Sequence, residues 1–88
     1  MNITQEGYKN KVKNKLFSCL CERESGSSWE TLLDSIIIEW MGLPEASRTI
    51  DYYMISHKLM SCRYLSYKYF RKTIFDIMNL LTDLDMED

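Results

Sequence analysis

Residues 67–84 read YKYFRKTIFDIMNLLTDL, and the period of their apolar positions decides the fold class. Tyr67, Phe70, Ile74, Ile77, Leu81 and Leu84 recur in steps of three and four. That spacing lays one apolar seam along a helix, whereas a strand would alternate by two. Phe75, Met78 and Leu80 flank the seam and widen it. The pattern predicts a helix over 66–82. Beyond Leu81 the acidic residues meet the negative end of the helix dipole, so the last turn should fray.

The same period extends towards the N-terminus. Ile50, Tyr53, Met54 and His57 fall on one side of a predicted helix over 49–61, while Tyr52, Ile55 and Leu59 fall on another. Two apolar sides imply contact with more than one neighbour. Thr49 suits the N-cap and Asp51 the first turn. Whether this helix breaks within Ser61–Ser66 or runs on into the last one stays open, since no Gly or Pro marks the place.

Upstream, Trp29, Leu33, Ile36 and Trp40, widened by Leu32 and Ile37, predict a buried helix over 28–41. Ser27 and Glu30 stand in the S-x-x-E relation of a capping box. Gly42, Leu43 and Pro44 supply a stop, and Pro44 can open a short helical turn over 45–48. The first predicted helix, 5–22, carries Tyr8, Val12, Leu16, Cys19 and Leu20 on one face and should end near Ser25–Gly26. Its lysines at 9, 11, 13 and 15 alternate by two, which spreads them around the helix. The fold class that follows is all-α, a compact bundle of three to four helices with antiparallel neighbours.

With 88 residues the chain holds one domain and not two. Residues 1–88 are therefore expected to form a single helical domain, with 1–4 frayed and 83–88 an acidic tail. Charged residues make up 27% and apolar ones 45%, an ordinary globular balance that argues against a disordered chain. Only 3 Gly and 1 Pro are present, too few turn signals for an all-β fold. The longest apolar run, Ile36 to Ile38, excludes a membrane-spanning helix. An odd set of cysteines (Cys19, Cys21, Cys62) behind a polar N-terminus reads as reduced thiols, so the expected location is cytoplasmic. Lys, Ile, Asn, Tyr and Met abound and Ala46 is the only alanine, a usage expected of an A+T-rich genome.

Catalytic and metal chemistry lack their residues. His57 is the only histidine, and Cys19 and Cys21 on a helix point about 200° apart, so they cannot chelate one ion. His57 and Cys62 diverge by about 140° if one helix carries both, which argues against a nucleophile–base pair. Glycine-rich phosphate loops are absent. The expectation is a protein that is not an enzyme, with no catalytic residues, no metal and no cofactor.

The most distinctive composition lies in residues 63–72, RYLSYKYFRK, where cations and aromatics interleave. Arg63, Tyr64, Tyr67, Lys68, Arg71 and Lys72 are the candidate partner-binding residues, because charge and ring faces together suit a protein partner or nucleic acid. More simply, Tyr67 and Phe70 belong to the apolar seam, and the cations coat the opposite face or pair with the acidic residues of the predicted helix over 28–41. The seam at Phe70, Ile74 and Ile77 is a candidate homodimer or docking surface, its apolar content being generous for so short a chain. The sequence thus predicts a non-enzymatic interaction protein that occupies a larger protein partner, such as a phage- or mobile-element-encoded inhibitor or anti-defence factor. The alternative is a small nucleic-acid-binding regulator using 63–72.

Overall fold

The computed structural model describes residues 5–42 and 50–83. They form α1 (Gln5–Glu24), α2 (Trp29–Met41), α3 (Ile50–Ser61) and α4 (Tyr67–Asp83), with a 3-10 turn at Cys62–Tyr64 between the last two. No strand occurs among the described residues. The all-α bundle is what the apolar periods require. The question left open in Ser61–Ser66 resolves as a break. The 3-10 turn ends on Leu65 in an extended conformation, and α4 restarts after Ser66.

The contacts show an up-down-up-down arrangement. The end of α1 meets the start of α2, where the Cys19 thiol donates to the Trp29 carbonyl at 3.4 Å. The end of α1 also meets the start of α4, through Arg23 donating to the Leu65 carbonyl at 2.8 Å. Late α2 packs on the first half of α3, where the Trp40 ring stacks on Tyr52 and Trp40 Nε1 donates to Ser56 Oγ at 2.9 Å. Each helix therefore runs antiparallel to its neighbours, as short connections impose.

One core lies along the axis. It takes Val12, Leu16, Cys19 and Leu20 from α1, Leu33, Ile36 and Trp40 from α2, and Tyr52, Ile55 and Leu59 from α3. Cys62 and the α4 seam of Phe70, Ile74, Ile77 and Leu81 close it. Burying an aliphatic or Phe side chain of this size contributes about 1.5–3 kcal/mol relative to leaving it exposed. Trp40 anchors the centre, its ring stacked between Tyr8 (6.4 Å) and Tyr52 (5.2 Å). Trp29 is half-buried and meets Phe70 edge-on at 5.0 Å.

Several local expectations need correction. The capping box at Ser27 and Glu30 does not form. The helix starts one residue later with Ser28 at the N-cap, and Ser27 Oγ lies 3.2 Å from Ser25 Oγ instead. Moving the cap by one residue places Glu30 at the second helical position, still beside the positive end of the dipole. α1 runs two residues past its expected end because the chain closes it as a Schellman turn. Ser27 N–H reaches the Glu22 carbonyl (2.9 Å), Gly26 N–H reaches that of Arg23 (3.2 Å), and Gly26 takes φ +80. The lysines of α1 do not simply spread out. Lys11 and Lys15 share a face and both bind Glu39 of α2, Lys11 at 3.2 Å, while Lys9 is buried. α4 holds its helix through Asp83. The expected Thr49 cap, the turn over 45–48, the frayed 1–4, the seam position Leu84 and the acidic tail beyond Asp83 lie outside the described residues.

Candidate interaction surfaces

Residues 63–72 are divided by the fold. Phe70 faces inward and is fully buried, so the α4 seam is core: Phe70, Ile74 and Ile77 are offered to no partner. This corrects the expectation of a docking seam there. Its physical reason is the closed ring of helices, in which α1 and α3 both flank α4 and cover the seam from Phe70 to Leu81. Phe70, Ile74 and Ile77 leave no surface for a second copy.

Two of the six candidate partner-binding residues are tied inside the molecule. Arg63 pairs with Asp34 of α2, a link across the bundle that holds the 3-10 turn against α2. Tyr67 donates its hydroxyl to Glu24 at the end of α1, and that carboxylate holds the phenol above its usual range. Tyr64, at 83% exposure, projects from the turn. Lys68, Arg71 and Lys72 face solvent on the outer side of α4.

These three cations do not stand alone. Together with Tyr69, Phe75 and Asp76 they line one depression on the outer face of α4. The Arg71 guanidinium sits 5.1 Å from the Phe75 ring centre, a cation–π contact that orders the arginine while leaving it accessible. Tyr69 and Phe75 were legible in principle. They stand about 100° to either side of the inward seam positions Phe70 and Ile74, so they had to emerge on the flanks.

Between α1 and α4, Arg23 shows the opposite use of the same chemistry. Its guanidinium lies 4.4 Å from the Trp29 ring and 4.5 Å from the Phe70 ring while bonding the Leu65 carbonyl. All these contacts point inward. Arg23 clasps the α1–α2 and α3–α4 corners together, its guanidinium spent on these internal contacts.

The second apolar side of α3 is the feature whose fate the period could not foretell. Tyr52, Ile55 and Leu59 go into the core, but Ile50 (80% exposed), Tyr53 (58%), Met54 (44%) and His57 stand open. With Lys58 they line a shallow apolar groove, whose walls among the described residues come from α3. A small-molecule pocket is concave and draws on several elements. This groove is a helix face, the geometry suited to another macromolecule. The expectation that α3 meets more than one neighbour holds, since it packs on both α2 and α4, while Ile50 and Tyr53 stay exposed.

No group of three His, Cys, Asp or Glu side chains converges among the described residues. Cys19 and Cys62 are buried and Cys21 exposed. Burial pushes the Cys19 thiol up to about 11 and the Cys62 thiol up to about 12, so both are neutral and weak nucleophiles at neutral pH. His57 lies on the open face of α3, away from those buried sulfurs. No helix among the described residues is long and apolar enough to cross a membrane. Comparison with protein-family models, with curated proteins and with solved structures finds no match to this chain.

Proposed function

We propose that this chain is a non-enzymatic, cytoplasmic interaction protein that acts by binding an acidic surface of a larger protein through the outer face of α4. The observation that carries this reading is the grouping of Lys68, Arg71 and Lys72 with Tyr69 and Phe75 on one exposed helix face. Arg and Tyr supply much of the binding energy at protein interfaces. Here they are mounted on a helix whose opposite side is fixed in the core, so little ordering entropy is lost on docking. The cations give the encounter its electrostatic direction. Occupying a larger target needs only such a surface and no chemistry. A phage- or mobile-element-encoded inhibitor or anti-defence factor is the class this fits, and the A+T-type residue usage agrees with it.

The second reading is a small nucleic-acid-binding regulator, favoured by the same cations and rings. Asp76 within the patch and the net charge of −2 weigh against phosphate binding. Tagged wild-type protein and the triple variant Lys68→Glu, Arg71→Glu, Lys72→Glu, produced in the native host, separate the possibilities. A stoichiometric protein retained by wild type and lost by the variant supports the proposal, and equal retention by both overturns it. Nucleic acid shifted by wild type in a gel, with affinity falling steeply as salt rises, would support the second reading instead.

A further inference from the structure

The open face of α3 borders the outer side of α4, where Met54 and Lys58 share a depression with Asp76, Asn79, Leu80 and Asp83, and its own charges are arranged for one occupant. We infer that the outer face of α3 pairs with the same face of a second copy of this chain, the two helices running antiparallel. The middle of the face is apolar, with Tyr53 and Met54 exposed and Ile50 at its N-terminal end. Asp51 stands at that same end and Lys58 at the other, seven residues on, about 10 Å along the helix axis. Met54 lies between them on the same strip of the helix, at the spacing i, i+3, i+7.

A two-fold axis through Met54 therefore brings Asp51 of each copy onto Lys58 of the other. A parallel pairing would stack like charges and is disfavoured. The arrangement is self-complementary, as a closed dimer interface must be. The ion pairs among the described residues engage Lys11, Lys15, Asp34, Glu39 and Arg63. Asp51 and Lys58 are in none of them. The Lys58 stem can also cover the partner's Ile50, removing the most exposed aliphatic side chain of the face from water.

The test uses the full chain in light scattering and sedimentation equilibrium from micromolar to millimolar concentration. Wild type is expected to dimerise. Asp51→Lys alone, and Lys58→Asp alone, should each weaken the dimer by about tenfold or more, because each places like charges opposite twice. Mixed in equal amounts, the two variants should regain it as a heterodimer, since both contacts are then opposite in sign. Met54→Lys, which sets two cations at the axis, should be monomeric with an unchanged helical circular-dichroism spectrum. A wild type that stays monomeric throughout, its α3 face left to another protein or another segment, overturns the inference. So does a dimer indifferent to these substitutions. Neither outcome touches the α4 proposal, whose variants lie elsewhere.

Discussion

The inner seam of α4 and the outer face of α3 are both apolar strips written at helical spacing, yet they meet opposite fates. Phe70, Ile74, Ile77 and Leu81 are fully buried, whereas Ile50, Tyr53 and Met54 remain in water. The difference lies in the number of neighbours. α4 has one apolar strip and two flanking helices to cover it. α3 has two strips, and its neighbours α2 and α4 bury Tyr52, Ile55 and Leu59 but reach the second strip only at its Met54 and Lys58 edge. An amphipathic period reports that a strip would gain by burial. It does not report whether the chain supplies a cover.

The sharpest way to break this contrast is to truncate one residue from each strip. Ile77→Ala leaves a cavity in the core and should cost about 2–5 kcal/mol. Ile50→Ala, in dilute protein, should stay within about 0.5 kcal/mol. Urea unfolding of the two variants reads both values, and equal losses would show that the α3 face is covered within the monomer.

A smaller effect is expected at the border of the two α3 strips. Ser56 accepts the Trp40 indole N–H and donates to the Tyr52 carbonyl at 2.8 Å. Ser56→Ala leaves the indole N–H of a fully buried tryptophan without its acceptor, at about 1–3 kcal/mol. Thermal unfolding should register the loss, and an unchanged midpoint would mean that the inner strip is packed more loosely than the outer strip is open.

Acid should loosen the α1–α2 side while leaving the open face of α3 as it is. The hydrogen bond from Lys15, joined by Lys11, holds the Glu39 carboxyl below its ordinary value of 4.5. A carboxylate depressed in the fold contributes stability that is present above 4.5 and lost as the pH falls through its folded value. Glu39→Gln should therefore flatten part of the acid limb of the stability profile. A profile identical to wild type would show that this exposed cluster contributes nothing.

The thiols give the least energetic and most direct reading of inside against outside. Cys21 is exposed, while Cys19 and Cys62 are buried and held neutral. A thiol reagent should modify one cysteine quickly in the folded protein and all three in urea. Fast modification of Cys62 would reveal an α3–α4 corner that opens, and the buried α4 seam would then be only intermittently closed.

Much of the architecture could be read from local pattern. The expected spans 28–41, 49–61 and 66–82 meet the observed starts and ends within one residue wherever both are described. Gly26 marks its turn because left-handed backbone costs glycine nothing. The surfaces were harder. The interleaved cations and rings of 63–72 were visible as composition, but the sequence could not say that Arg63 is committed to Asp34 and Tyr67 to Glu24. Those partners lie 29 and 43 residues away. Nor could it say that Tyr69, Phe75 and Asp76 join Lys68, Arg71 and Lys72 in one depression.

By itself the sequence determined the class of structure: four apolar periods of helical pitch, little punctuation, and no strand pattern. Helical period is a local property, settled by which residues recur along a few turns. Tertiary structure alone decided which strip is inside. It turned the most regular seam, at Phe70, Ile74 and Ile77, into core and left the second strip of α3 in water. Burial depends on what the rest of the chain places opposite, and four helices closed into a ring cover each helix from the inside only.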